Sequence, residues 1–253
     1  VGVPGMRALA EHLASDLEVV QQRRVERVER DRRLLFTDGE FSEPFEVVVV
    51  NTPPAQAAPL VERVSEQLSA QAAGVEMSPC WAAMVSFKAP LELGVDGVFI
   101  NLGDNNALGW AARNASKPGR DALYQTWVLH ASPEWSAANL DRAGEDVASA
   151  LLAAFFVATG LDPVEVEHLA AHRWRYAMPA TRVEDIAAID RDALVAMCGD
   201  WLNGGRVEGA FMSGRAAAGL VLGELCSRDE LLAPESRTSA KMTHTAAQTD
   251  LFM

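Results

Sequence analysis

The residues with the clearest chemical potential lie in one glycine-rich stretch late in the chain. Residues 198–214 read CGDWLNGGRVEGAFMSG and follow the apolar run ALVAM. A strand that ends at Gly199 and Asp200, turns on glycines and enters a helix presents free N–H groups and the positive end of the helix dipole. This arrangement attracts a phosphate or a negatively charged ring, and Asp200 can accept hydrogen bonds from ribose-like hydroxyls. Because the chain has no GxGxxG motif, the spacing also fits an ordinary closing α/β unit, which is the simpler interpretation.

A second candidate is the alternation of aromatic residues in HRWRYA, residues 172–177. On a strand, His172, Trp174 and Tyr176 lie on one face, with Arg173 and Arg175 on the other. Such a face is either a core stripe or an aromatic wall over a planar ligand. The residues alone favour the core.

His168 and His172 are four residues apart, a spacing at which two histidines on a helix can bind one metal ion. On a helix both would share a face, but the flanking VEVE favours a strand, where four residues span about 13 Å. No third ligand is evident, so we predict no metal site. The chain also lacks a GxSxG elbow, a P-loop and an HExxH motif, which leaves hydrolase functions without motif support.

Composition limits the class of protein and its partners. The chain has 253 residues, is 49% hydrophobic and carries a net charge of -13. This length supports a large core in one or two domains. The negative charge argues against nucleic acid or an anionic membrane as the main partner. The Arg-rich segment RRVERVERDRR, residues 23–33, is interleaved with acidic residues, and we interpret it as a solvated strand face.

Cysteine usage and the apolar runs indicate the compartment. The chain has 3 cysteines, unevenly spaced and without a CxxC motif, which predicts a reducing cytoplasm rather than a disulfide framework. No apolar run approaches the roughly 20 residues that span a bilayer. The opening VGVPGM lacks both a signal-peptide pattern and an initiating methionine, so we expect the chain to begin within a longer protein.

The hydrophobic pattern predicts the elements that position these residues. RALAEHLASDL, residues 7–17, has leucines at helical spacing, and RRVERV predicts a strand. EVVVVNTPP predicts a buried strand that stops at two prolines. Residues 75–132 alternate short apolar runs with turns, as in a mostly antiparallel sheet. A long helix then ends near Gly160 as its C-cap, and VEVEHLAAHRWRYAMP follows as a strand.

Several segments together resemble bacterial renalase-like flavoproteins, which are relatives of the flavin-containing amine oxidases. The resemblance runs from Val1 to about Cys226, and its motifs are specific in combination. The segments are VGVPGMRALAEHL, VVVVNTPPAQAAPL, AGVEMSPCWAAMVSFKAPL, GWAARNASKPGR, TWVLHASPEWS, AHRWRYAMPA and CGDWLNGGRVEGAFMSG.

The resemblance implies an α/β fold with an α+β substrate domain. A Rossmann-like FAD/NAD(P)-binding domain would be assembled from separated stretches of chain, beside a substrate domain built on an antiparallel sheet. The opening strand-GxGxxG-helix unit of that family has no match here, so we expect the FAD-binding domain to be incomplete in this chain. The predicted division is residues 1–55 and 181–227 for the FAD-binding lobe, 56–180 for the substrate domain and 228–253 for a flexible tail.

The same resemblance implies residue roles. Asp200 would bind the ribityl or phosphate region of non-covalent FAD, and the aromatic side chains would line the substrate side of the flavin. Without the upstream unit, we expect this chain to bind FAD weakly or not at all. The implied cofactor-binding residues are Val25, Gly199, Asp200, Val207, Glu208 and Gly209, and the implied catalytic residues are Trp174, Tyr176 and Trp201.

The implied activity is that of an FAD-dependent oxidase. It would take a hydride from a reduced nitrogen heterocycle such as an isomeric dihydro-NAD(P) and reduce oxygen to hydrogen peroxide. The alternatives are an amine oxidase and a truncated, flavin-free binding module. The missing GxGxxG unit supports the binding module.

One short motif near the C-terminus suggests a further partner. QTDLF resembles the peptide with which bacterial proteins dock onto the DNA polymerase sliding clamp, with Gln248, Leu251 and Phe252 as its contacts. Five-residue patterns recur by chance, and these side chains can equally fold back onto the protein surface. Clamp docking is therefore the minority hypothesis.

Overall fold

The computed structural model describes residues 1–101, 106–121, 124–181, 183 and 185–232. The clamp-like residues 248–252 lie outside this part of the chain. In chain order the elements are α1 (Ala8–Leu13), β1 (Val25–Val28), β2 (Leu34–Phe36), β3 (Val48–Val50), α2 (Pro54–Val61), α3 (Glu66–Ala73), β4 (Met77–Phe87), β5 (Gly97–Phe99), β6 (Leu108–Arg113), β7 (Gln125–Ala131), α4 (Pro133–Ala138), α5 (Gly144–Thr159), β8 (Val166–Pro179), β9 (Ala188–Asp190), β10 (Val195–Met197) and α6 (Val207–Leu232).

The larger layer is an antiparallel sheet of five strands in the order β5-β6-β7-β4-β8. The sheet predicted from residues 75–132 is therefore confirmed, and the predicted strand VEVEHLAAHRWRYAMP joins it as the edge strand β8. Helix α5 covers one face of this sheet. The buried residues there include an aromatic cluster, in which Trp127 and Phe155 have ring centroids 5.3 Å apart.

The long helix forms and ends as the sequence predicts. Val147, Leu151 and Phe155 recur every four residues and are fully buried against the sheet. The helix stops at Gly160, which adopts the left-handed conformation with φ 67° and donates its N–H to the carbonyl oxygen of Phe156. The predicted glycine C-cap is confirmed.

The smaller layer is a three-stranded sheet in the order β3-β10-β9. Strands β3 and β10 run parallel, with Val50 opposite Met197, whereas β9 is antiparallel to β10. Helices α2 and α3 pack on this sheet through Val61 and Leu68, which are both buried. The mixed α/β class with a separate antiparallel sheet is thus confirmed. The predicted domain bounds remain a prediction, and α2 and α3 share their core with the smaller sheet.

The N-terminal region differs from the sequence prediction in how it packs. Helix α1 is shorter than the predicted segment 7–17, and Leu9, Leu13 and Leu17 are exposed. Their helical spacing therefore does not produce a buried face among the described residues. The strand predicted from RRVERV is β1, and its flanking Arg23 pairs with Glu40 at 2.9 Å, in line with the solvated, charge-paired interpretation.

The last helix extends further than predicted. Helix α6 runs to Leu232, so the first residues of the predicted tail, 228–232, are helical. The sequence interpretation missed this because the segment has little apolar periodicity. One contact that holds the helix is Glu224, whose carboxylate accepts hydrogen bonds from Arg191 at 2.7 Å and Arg228 at 2.9 Å.

Candidate functional site

Two parallel strands end at the same edge of the smaller sheet. The N–H of Cys198 donates to the carbonyl oxygen of Val50 at 3.1 Å, so β3 and β10 stay in register to their last residues. Asn51 and Thr52 follow one strand, and Gly199 follows the other. Ligands of α/β proteins bind at the carboxyl ends of parallel strands. This edge is therefore the expected position of a ligand site.

Gly199 makes the turn that leaves β10. Its N–H donates to the hydroxyl of Ser213 at 2.9 Å. A Cβ atom at this position would lie 2.6 Å from Nε1 of Trp201, so only glycine fits beside the indole ring. Trp201 is 1% exposed, and its Nε1 donates to the carbonyl oxygen of Thr52 at 3.1 Å. The indole therefore joins the two strand ends from within the core.

Asp200 follows this turn as a half-buried carboxylate. Its main-chain carbonyl oxygen accepts from the N–H groups of Asn203 at 2.9 Å and Gly205 at 2.8 Å. Across the part of the chain that the structure describes, its carboxylate has no hydrogen bond and no ion pair. A half-buried carboxylate without a partner is available to accept hydrogen bonds from hydroxyl groups of a ligand.

Helix α6 begins near Asp200, and its first backbone N–H groups have no acceptor among the described residues. Ala210 is the first residue of α6 whose N–H has an acceptor among the described residues, the carbonyl oxygen of Arg206 at 2.8 Å. The N–H groups of Val207, Glu208 and Gly209 have no acceptor among the described residues. Together with the dipole of this 26-residue helix, they form a region of positive potential at the strand edge.

Val25 lines a separate cavity of about 630 Å³ that reaches the end of β3. Val49, Thr52 and Gln56 contribute to the same walls. The hydroxyl oxygen of Thr52 is buried and has no hydrogen-bond partner. The volume falls within the range of about 300–1,000 Å³ that is usual for ligand sites. An unpaired buried hydroxyl at its end indicates that a ligand supplies the missing hydrogen bond.

The open face of the five-stranded sheet carries a row of rings, which we call the ring band. The band follows the strand register across all five strands of the sheet. Four of the strands contribute a ring, namely Phe99 on β5, Trp110 on β6, His130 on β7 and His172 on β8, and Ala82 on β4 lies between the two histidines. The ring centroids of Trp110 and His130 are 4.8 Å apart. Neighbouring strands of a sheet lie about 4.8 Å apart, so the band extends about 19 Å from β5 to β8.

Trp174 extends the ring band along β8. Its ring lies 4.5 Å from that of His172, which confirms that the two share a face. Arg173 points to the other side, where its guanidinium lies 5.6 Å from the ring of Trp81 in the covered core. Trp174 is 56% exposed, and Tyr176 follows where the pairing of β8 with β4 shifts. The band thus offers flat, exposed aromatic surface.

An apolar cavity of about 460 Å³ adjoins the ring band. Phe99, Trp110 and His130 contribute to its lining, together with Cys80 and Met178. Burial lowers the pKa of His130, and the positive charge of Lys117 lowers it further. Burial raises the pKa of the Cys80 thiol. Both side chains are therefore neutral near pH 7, and the cavity suits an uncharged planar group.

A comparison with known protein families shows which family the chain belongs to. The sequence profile of the flavin containing amine oxidoreductases matches residues 1–222. The chain belongs to this family. Membership implies FAD as the cofactor.

Solved structures of this fold include three oxidases. A protein assigned as a protoporphyrinogen oxidase from Exiguobacterium sp. 255-15 has a TM-score of 0.65 at 13% identity, over 87% of this chain and 51% of that chain. Cyclohexylamine oxidase from Brevibacterium oxydans IH-35A has 0.62 at 14% identity, over 86% and 51%. A putrescine oxidase variant has 0.59 at 16% identity, over 87% and 53%. The chain spans about half the length of these structures, and the likeness shows the fold alone.

The residues present fit a flavin dinucleotide. The carboxylate of Asp200 suits hydroxyl groups, the free N–H groups of α6 suit phosphate or a negatively charged ring, and the orphaned Thr52 hydroxyl suits a polar group of the ligand. Gly209 is required at the helix start, because a Cβ atom there would lie 2.1 Å from the carbonyl oxygen of Asn203.

The structure separates the sequence-predicted site residues into three places. Gly199, Asp200 and residues 207–209 lie together at the strand edge, and Val25 lines the cavity that reaches it. Trp174 lies on the ring band, whereas Trp201 is in the core and presents no ring surface. Trp110 and His130 were missed, although the alternating runs LGWAARNAS and TWVLHAS place each on a predicted strand.

His168 and His172 both lie on β8, opposite Ser86 and Ala82. The described part of the chain contains no group of three or more histidine, cysteine or acidic side chains that could hold a metal ion. No helix in this part of the chain combines the length and the apolar character needed to cross a membrane.

Proposed function

We propose that the protein is a renalase-like FAD-dependent oxidoreductase. It takes a hydride from a reduced nitrogen heterocycle, such as an isomeric dihydro-NAD(P), and passes two electrons to oxygen. The donor leaves as the oxidised pyridinium, and oxygen takes up two electrons and two protons to become hydrogen peroxide. The observation that carries this proposal is the ring band, a row of flat side chains, exposed at Phe99 and Trp174, that a planar dihydropyridine can stack on.

The cofactor would be held at the strand edge. Asp200 accepts hydrogen bonds from hydroxyl groups, and the N–H groups of residues 207–209 stabilise negative charge at the start of α6. Val25 would contact the adenine end through the cavity that it lines. When bound, FAD supplies the two-electron chemistry, and the protein supplies position and electrostatics.

The donor would lie on the ring band, with Trp174 and Tyr176 among its contacts. Stacking orients the dihydropyridine, and the neutral His130 and Cys80 keep the neighbouring cavity free of charge. Hydride transfer from a dihydropyridine leaves a stable pyridinium, so no general base is required. This accounts for a cavity whose described lining contains no carboxylate.

An amine oxidase is the second candidate, because cyclohexylamine oxidase and a putrescine oxidase share the fold. A turnover assay separates the two. The FAD-loaded protein is given a dihydropyridine donor or a primary amine, and peroxide is measured. Peroxide from the dihydropyridine supports the proposal, whereas peroxide from the amine alone overturns it.

The third alternative, a flavin-free binding module, is tested by the visible absorbance of the purified protein after incubation with FAD. Bound flavin gives a yellow protein, and the binding module stays colourless. We propose a cytoplasmic location, since the cysteines Cys80, Cys198 and Cys226 are free and the chain has no disulfide framework.

A further inference from the structure

The end of strand β8 lies against the turn that leads into helix α6. Gly205 in this turn has φ 70°, and its N–H donates to the carbonyl oxygen of Asp200 at 2.8 Å. A Cβ atom at Gly205 would lie 2.8 Å from Cδ of Pro179 and 3.6 Å from both Cα and Cγ of Met178. A side chain at this position would push the turn away from β8. The glycine therefore lets the turn before α6 approach Met178 closely.

Met178 also lines the apolar cavity beside the ring band. Its partner in the strand register is Ser78 on β4, which lines the same cavity. Met178 is 51% exposed, so its side chain is not held in the core. Met178 thus lies between the strand edge proposed for FAD and the cavity that adjoins the proposed donor surface.

A bulge near the end of β8 sets the position of Met178. Between Trp174 and Met178, β8 has three residues, whereas the facing stretch of β4 has only Pro79 between the two register partners. Proline has no N–H to donate to a neighbouring strand, and it is found where strand pairing is interrupted. Ala177 and Met178 both line the cavity, although regular alternation would place only one of them on that face.

Methionine suits a contact with a planar ligand. Its side chain is unbranched and flexible, and its polarizable sulfur makes favourable contacts with aromatic rings. Because Met178 lines the cavity, a shorter side chain there would enlarge the cavity and a bulkier one would reduce it. One methylene more or less in an apolar pocket changes the discrimination between two substrates by about 10- to 200-fold.

We propose that Met178 determines which donors react, because its side chain contacts the donor ring in the apolar cavity and limits the size of the substituent on the ring carbon. The preferred donor is a single dihydropyridine ring whose carbon substituent is as small as a carboxamide. The inference rests on the proposed function and adds to it the residue that sets the size of the substrate.

The test measures the binding of two neutral ligands, nicotinamide and N-benzylnicotinamide, by isothermal titration calorimetry. Both have the shape of the donor ring and cannot deliver a hydride, and they differ only in the size of the amide substituent. The proteins are the FAD-loaded wild type, Met178→Ala, Met178→Leu and a control variant. Anaerobic flavin reduction by the N-methylated dihydropyridines made from both ligands gives a second readout.

Met84→Ala is the matched control. Met84 lies two residues after Ala82 on β4 and therefore on the same face of the sheet. It is 38% exposed and lies outside the described lining of the cavity. The substitution removes the same side chain from the same face without changing the cavity.

The wild type should prefer nicotinamide. Met178→Ala should shift the ratio of the two dissociation constants by about tenfold toward the larger ligand, because it enlarges the cavity. Met178→Leu nearly conserves the volume and should keep the wild-type ratio, as should Met84→Ala. The rates of flavin reduction by the two dihydropyridines should follow the same order.

Three results overturn the inference. If both ligands bind and Met178→Ala keeps the wild-type ratio, Met178 does not limit the substituent, and the proposed function stands. The same holds if neither ligand binds the wild type while the dihydropyridines still bleach its flavin. If neither dihydropyridine bleaches the wild-type flavin, the proposed function fails and the inference fails with it.

Discussion

Nε1 of Trp201 donates a hydrogen bond of 3.1 Å to the carbonyl oxygen of Thr52 and so ties together the loops that follow β3 and β10. The two residues are distant in sequence, and their contact holds two strand ends at one edge. Asp200 is the residue immediately before Trp201. The cavity lined by Val25 extends to Thr52. The contact therefore positions both halves of the proposed cofactor site.

Asp200→Ala should weaken FAD retention by about 1.5–3 kcal/mol, because it removes a charge-assisted hydrogen bond to the cofactor hydroxyls. The dissociation constant for FAD, measured by flavin fluorescence, tests this. The melting temperature without FAD should stay at the wild-type value, since the carboxylate has no described intrachain partner. Asp192→Ala, at an exposed position, is the control and should leave FAD binding intact. A loss of folding in Asp200→Ala without FAD would make the residue structural.

Ser213→Ala should disturb the turn that presents Asp200. The Ser213 hydroxyl is 0% exposed, accepts from the N–H of Gly199 at 2.9 Å and donates to the carbonyl oxygen of Ile186. Its removal leaves two buried groups without a partner, at a cost of about 1–3 kcal/mol. We expect a lower free energy of unfolding by urea and a larger dissociation constant for FAD.

Ser227→Ala on the same helix is the control for this prediction. Its hydroxyl donates to the carbonyl oxygen of Gly223 at an exposed position, so its removal should change little. Equal effects of the two substitutions would show that Ser213 contributes only general helix stability. A rise in the FAD dissociation constant confined to Ser213→Ala supports its role as a positioning residue.

Trp174→Ala should slow flavin reduction by a dihydropyridine more than flavin reoxidation by oxygen. The indole belongs to the ring band, and stacking on an aromatic ring contributes about 0.5–1.5 kcal/mol. Stopped-flow measurement of the two half-reactions gives the comparison. Phe45→Ala, which removes an exposed ring outside the band, should affect neither. Equal slowing of both half-reactions by Trp174→Ala would count against a donor contact.

Acid should loosen helix α6 through Glu224. Hydrogen bonds from Arg228, and then from Arg191, lower the pKa of this carboxyl. Between its ordinary pKa and the lower folded value, the unfolded chain binds more protons, so stability decreases as the pH falls. Unfolding by urea across this window should show the decrease, and Glu224→Gln should flatten it. Glu43→Gln, at an exposed position, should retain the wild-type slope.

Patterns among neighbouring residues predicted the helices, strands and caps better than they predicted sites formed by side chains from several strands. The Gly160 cap, the strand before Pro53 and the helix that follows the glycine turn depend on neighbouring residues, and all are found. The strand before Pro53 is buried on one face only, because Val49 is 46% exposed. The shared face of His172 and Trp174 follows from strand periodicity alone.

The ring band was not predictable in this way. It depends on the register of four strand pairings, which places Trp110 opposite His130, and that register is set by packing of the other face on α5. The position of Trp201 was also not predicted, although here the family resemblance rather than the strand pattern was misleading. The resemblance placed its ring on the substrate side, but a large apolar ring between two strand ends is buried by the core that they form.

The central claim is hydride transfer from a planar dihydropyridine to the flavin of this protein. The most direct measurement is anaerobic bleaching of the flavin absorbance after mixing the FAD-loaded protein with an isomeric dihydro-NAD(P), with hydrogen or deuterium at the reacting carbon. We expect the donor to bleach the flavin and deuterium to slow the bleaching. Flavin that stays oxidised with this donor but bleaches with a primary amine would contradict it.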